Sequence, residues 1–207
     1  MNAILAMSSF IFPLITFPYV SRILLPEGTG KVSFATSLIS YFAMFAQLGI
    51  PTYGIRTCAK VRENKEELTR TAQELVIINL VMSIVSYAVF VIALIFVPRL
   101  RAERTLYAIV SLTIIFNVIG MEWLYKALEQ YTYITIRSIV FKFIALVAMF
   151  AFVHQKADYV VYGAITLIAA SGSSVFNLIN THKFIGMRPV GKYHFKRHFK
   201  PIVVFFA

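Results

Sequence analysis

Four ionisable side chains stand within or at the margin of long apolar runs: Arg22, Glu122, Arg137 and Lys142. A charge near the middle of a membrane-crossing helix costs about 2.5–3.5 kcal/mol, so each one calls for a partner, a headgroup within reach or a water-filled cavity. Lys142, inside Ile139-Val140-Phe141-Lys142-Phe143-Ile144, lies five residues beyond Arg137, about 7.5 Å deeper along a helix axis. It is expected to face a bundle interior or cavity. Arg22 either reaches the headgroups or faces an aqueous cavity, Glu122 sits beside Trp123 at an interface, and Arg137 stands at an inner boundary. Three cations and one carboxylate at membrane depth suit an anionic ligand such as a phosphorylated headgroup.

Among the uncharged polar residues within the runs, Gln47 and Asn117 are candidates for sugar hydroxyls, although such side chains also stitch membrane helices together. Pro13 and Pro18 each remove a backbone donor from the first run, so that helix is expected to be irregular and to offer a hinge. Other patterns fall short. Gly28-Thr29-Gly30-Lys31-Val32 lacks the spacing and the hydroxyl of a phosphate-binding loop, and His194 and His198 are four apart without the glutamate of a zinc protease. These histidines are expected to be solvated or at the headgroups. The one cysteine, Cys58, excludes an internal disulfide and any multi-cysteine metal site. No nucleophile–base pair or carboxylate pair can be assembled, so no enzyme, metal or cofactor is expected.

The elements that must position these residues follow from composition. Of 207 residues, 59% are apolar and 14% charged, whereas a soluble domain carries about 25% charged residues. A mean hydropathy of +0.76 agrees. A polytopic, all-helical membrane bundle is predicted, with spans over about 2–25, 32–50, 73–97, 105–125, 133–153 and 159–180. Each reaches the roughly 17–25 residues a crossing needs. Residues 1–200 form one six-helix unit and 201–207 begin a seventh run. Turn chemistry marks the breaks: Pro26-Glu27-Gly28-Thr29-Gly30, Gly49-Ile50-Pro51, Pro98 and His154-Gln155-Lys156-Ala157-Asp158.

The net charge of +11 divides unevenly. Thirteen Lys and Arg fall in the second, fourth and sixth connections and five in the first, third and fifth. Basic residues favour the cytoplasmic side, which puts the N-terminus there. The basic stretch 183–200 is expected to meet anionic lipid rather than nucleic acid. Met1 opens directly on an apolar run and Ala207 ends another after seven residues, so the chain is expected to be part of a longer one.

Several stretches carry a resemblance. Phe12-Pro13-Leu14-Ile15-Thr16-Phe17-Pro18-Tyr19-Val20-Ser21-Arg22-Ile23-Leu24 runs into Pro26-Glu27-Gly28-Thr29-Gly30-Lys31-Val32, and Leu48-Gly49-Ile50-Pro51-Thr52-Tyr53-Gly54-Ile55-Arg56 follows. With Gly120-Met121-Glu122-Trp123-Leu124 and Tyr133-Ile134-Thr135-Ile136-Arg137-Ser138, they resemble the N-terminal half of bacterial oligosaccharide flippases of the polysaccharide transporter family (Wzx type). That family lies within the multidrug/oligosaccharidyl-lipid/polysaccharide exporter superfamily.

The resemblance implies one lobe of a two-lobed flippase in the bacterial inner membrane, with no cofactor. It would move undecaprenyl-diphosphate-linked oligosaccharide outward by alternating access, for O-antigen and related surface polysaccharides, beside polymerase and assembly proteins. In that setting Arg22 and Lys142 would offer charge to the diphosphate, and Arg56 and Arg137 would line the cytoplasmic entrance. The alternatives are a transporter of the same architecture for a peptidoglycan precursor or a drug, or a non-transporting scaffold subunit.

Overall fold

The computed structural model describes the backbone of residues 2–186, 188 and 190–206, and among these the side chains of 11–186, 188 and 190–205. Met1 and Ala207, on which the expectation about the chain ends rests, lie outside the described residues. The described residues contain helices and no strand. Five segments are long and apolar enough to cross a membrane: Ile11–Lys60, Lys65–Phe96, Arg104–Ala127, Tyr131–Phe152 and Lys156–Thr181.

The first of these differs from the expected pair of helices joined by a loop. α1 (Asn2–Gln47) is helical through Pro26-Glu27-Gly28-Thr29-Gly30, and its only non-helical residue is Leu25, with φ 58° and ψ 173°. Proline excludes the helical region at the residue before it and fits the first turn of a new helix, where its missing N–H costs nothing. One residue therefore makes the turn. Thr16, Val20 and Leu24 are buried, Val20 and Leu24 against α7 (Tyr131–Phe152) and α8 (Tyr159–Ser171). Beyond the break, Val32, Ala35, Ile39, Ala43 and Ala46 are buried with residues of α3 (Lys65–Phe96) and α5 (Arg104–Gly120). Both arms lie along the bundle, so the chain doubles back at Leu25.

Pro13 and Pro18 sit inside the first arm without breaking it, and Thr16 and Ser21 donate hydroxyl hydrogen bonds to the carbonyls of Pro13 (3.5 Å) and Pro18 (3.3 Å). The expected irregularity falls instead at Leu25.

The next break lies where Gly49-Ile50-Pro51 predicts it, but the chain resumes as α2 (Ile50–Lys60), a helix the sequence reading leaves as a connection. Asn64 caps α3, accepting from the backbone N–H groups of Glu66 and Glu67 at 3.1 Å each. Such a cap is worth about 1 kcal/mol. Pro98 ends α3 as expected and opens the short α4 (Pro98–Ala102).

The expected span 105–125 is divided at Met121, which adopts a left-handed conformation (φ 42°) between α5 and α6 (Glu122–Ala127). The last expected span is likewise divided at Gly172-Ser173, between α8 and α9 (Ser174–Thr181). α5 and α9 meet closely at that level: a Cβ on Gly120 would lie 2.5 Å from Ser174 Oγ. α10 (Lys196–Phe206) closes the described chain.

Contacts sort the connections into two ends. At one, the stretch just after Leu25 meets 156–159, a Cβ on Gly28 lying 3.5 Å from Tyr159 Cβ. Lys31 Nζ is 2.9 Å from Glu103 Oε1 and 4.9 Å from the centre of the Tyr159 ring, and Tyr159 donates to Glu103 at 2.7 Å. At the other, α2, α6 and the segment 182–198 meet around Ile50, Cys58, Leu75, Trp123 and Ile202. A Cβ on Gly54 would touch the Trp123 ring at 2.8 Å, so only glycine allows α2 and α6 this approach.

The Glu103 cluster gives a pH expectation. Burial pushes the Glu103 carboxyl up, but the hydrogen bonds from Lys31 and Tyr159 outweigh it and hold the group below the ordinary carboxylate value. A lowered folded value stabilises above the unfolded pKa of about 4.3 and is lost as pH falls through the folded one. Melting temperature is therefore expected to fall more steeply in acid for the wild type than for Glu103→Gln. Parallel curves would show that Glu103 makes no such contribution.

Candidate functional site

Gln47 and Asn117, far apart in the chain, line one cavity of about 330 Å³ with Ser40, Met44, Pro51 and Thr113. The cavity lies between the end of α1 and the last turns of α5. Four side chains that can bond hydroxyls thus converge on half-exposed ground between membrane-crossing helices, suited to a polyhydroxylated ligand.

The four candidate cations are not gathered there. Arg22 is exposed on the first arm of α1, and Arg56 is exposed on α2, stacked 4.9 Å from the centre of the Phe205 ring. Lys142 is half-buried on α7. Arg137, on the same helix, is 8% exposed. Its guanidinium lies 5.6 Å from the centre of the Tyr133 ring, and Nη2 is 3.7 Å from Glu122 Oε2. Nε and Nη1 have no partner among the described residues. Glu122 itself is held closer by Lys126, at 2.8 Å. A buried guanidinium with two idle donors is costly.

A dense polar cluster lies elsewhere, at Glu74. This carboxylate on α3 is fully buried. It accepts from the His194 backbone N–H at 2.6 Å, Arg197 Nε at 3.1 Å and Nη2 at 2.7 Å, and His198 Nε2 at 2.6 Å. His198 is 1% exposed, which corrects its expected place in solvent or among headgroups, whereas His194 is exposed as expected. Burial pushes the His198 pKa down, against the opposing pull of Glu74. A carboxylate can only accept, so Nε2 donates to Glu74, while Nδ1 is hydrogen-bonded to the Tyr53 hydroxyl at 2.8 Å. α2, α3 and α10 are thereby joined through one carboxylate. The sequence shows a glutamate at the head of an apolar run and a basic His-x-x-x-His stretch, but nothing in it pairs the two.

Comparison with known proteins places the chain. A model of the family described as "Polysaccharide biosynthesis protein" matches residues 1–206. The chain belongs to that family. Within it, the chain is 24% identical over 163 residues to the "Putative O-antigen transporter" of Escherichia coli (strain K12). That match takes in 79% of this chain and 39% of the relative's length, so the chain spans well under two thirds of the relative. No solved structure matches significantly. As a member of the polysaccharide biosynthesis family built from apolar helices of crossing length, the chain is a multi-pass membrane protein with a transporter among its relatives.

Proposed function

We propose that the chain forms one six-crossing lobe of a flippase that carries undecaprenyl-diphosphate-linked oligosaccharide across the bacterial inner membrane. The observation that carries this reading is the cavity between α1 and α5. In a family of polysaccharide biosynthesis proteins, a hydroxyl-and-amide-lined recess at membrane depth is matched to sugar rings, which offer many donors and acceptors and no fixed charge. Lys142 and Arg22 offer positive charge to the diphosphate, and Arg56 and Arg137 stand toward the end that the excess of Lys and Arg assigns to the cytoplasm. Transport proceeds by rocking of this lobe against a second, with the first arm of α1 flexing at Pro13 and Pro18. The N-terminus is cytoplasmic in this arrangement.

The test is complementation of a strain that lacks its own flippase. Replacing Gln47 and Asn117 together by Ala is expected to lower surface polysaccharide about tenfold or more at equal protein level, corresponding to about 1.4 kcal/mol or more of lost cargo stabilisation. Full complementation by the double variant would take this cavity out of the cargo path.

A further inference from the structure

We propose that the segment 183–200 is a binding surface for anionic phospholipid headgroups, held at the bilayer edge by the buried carboxylate of Glu74. The proposal requires only that the chain spans a membrane, and it stands or falls independently of the cargo.

Lys183, Arg188, Lys192, Lys196 and Lys200 are all exposed, and none makes an ion pair among the described residues. Elsewhere in the chain, Lys31, Arg62, Arg70, Lys126 and Arg137 each have an acidic partner. Five cations without an ion pair among the described residues thus fall within the 18 residues 183–200.

None of its described residues before α10 is helical, yet α3 fixes the segment at several points. The Gly186 N–H donates to Thr69 Oγ1 at 3.2 Å, and Gln73 Nε2 donates to the carbonyls of Gly186 (2.8 Å) and Arg188 (2.9 Å). Tyr193 donates to Gln73 Oε1 at 2.9 Å. Glu74 then takes the His194 N–H, Arg197 and His198. With the backbone held at Gly186, Arg188 and His194, a ligand bridging cations of this segment has less chain entropy to remove.

α10 supplies the orientation. His198 and Ile202, four apart, are buried, while Lys196, Phe199, Lys200, Val203 and Val204 are exposed. Cations on the first turn and apolar side chains on the next, over the 5.4 Å pitch of a helix, mark passage from headgroups into hydrocarbon. The plane of headgroups therefore passes Lys196 and Lys200. A phosphodiester with net negative charge is the ligand this plane offers. An acidic protein segment would leave Phe199 and Val203 against water.

The full chain, purified in a non-ionic detergent, would be offered phosphatidylglycerol and phosphatidylcholine of identical acyl chains, and retained lipid counted by native mass spectrometry. Preferential retention of phosphatidylglycerol, reduced by salt, is expected. Replacing Lys192, Lys196 and Lys200 together by Ala should lower the preference at least tenfold, taking about fivefold per charge at an anionic surface as the upper limit. Lys31→Ala, at the opposite end, should leave it unchanged. Glu74→Gln should lower it while raising amide exchange over 186–198, which separates a positioning role from direct contact. If Glu74→Gln fails to fold, the triple surface variant decides. Equal retention of the two lipids by the wild type, or a preference indifferent to the triple variant, would overturn the proposal. So would displacement of phosphatidylglycerol by inorganic pyrophosphate at equal concentration, since the surface would then be selecting free phosphate.

Discussion

Glu74→Ala is expected to remove about 3 kcal/mol of stability, the lower part of the range for taking away one partner of a buried ion pair. The lower part applies because Arg197, the cation left behind, keeps 37% of its side chain exposed and can turn to water. The His194 N–H and the His198 ring cannot do so as readily, since both point at the vacated space, and each unmet buried donor adds to the loss. Glu74→Gln keeps the volume and one acceptor and is expected to cost less. Thermal unfolding in detergent, followed by helical signal, would order the variants as wild type, Gln, Ala. An Ala variant with the wild-type midpoint would show that α10 is held by something other than this carboxylate.

Arg137→Met should act in the opposite sense on stability. The guanidinium is buried with Nε and Nη1 unpartnered, and its one acidic neighbour is 3.7 Å away. Methionine follows the arginine stem without the charge. Glu122 is not orphaned by the change, because Lys126 stays 2.8 Å from it. A gain of about 1–3 kcal/mol is expected, as when buried ion pairs are replaced by apolar side chains. Transport in the complementation assay is expected to fall by about tenfold or more, since a protein that keeps so costly a group has it for a task. A variant both more stable and fully active would strip Arg137 of any part in moving the cargo.

What could be read from residue order alone was decided by composition and by prolines. The apolar runs located the crossing helices because hydrocarbon demands length and apolarity whatever the tertiary packing. Pro98 and the 154–158 stretch marked real breaks, the latter closed by Asp158 Oδ2 accepting from the backbone N–H groups of His154 and Gln155. The errors came where local chemistry allowed two outcomes. Gly28 and Gly30 suggest a turn, yet Pro26 had already set the start of a helix, and the turn shrank to Leu25. Met121 is not itself a turn residue, and its left-handed backbone lies beside Gly120, where α5 closely approaches α9. In the candidate site, the convergence of Gln47 and Asn117 could be named as a pair of candidates but not as neighbours, because 70 residues separate them. Glu74 was hidden by its place at the head of an apolar run, where an acid looks like an ordinary first-turn residue. Only the return of 194–198 to α3 shows what it binds.

The contact of Gly54 with the Trp123 ring makes the molecule its own gauge. Trp123 is the chain's one tryptophan and Cys58 its one cysteine, and both are packed in the cluster that joins α2, α6 and α10. Any movement that parts these helices must wet the indole and uncover the thiol together. Emission colour and alkylation rate can therefore follow the same motion in the unmodified chain, with no label to perturb it.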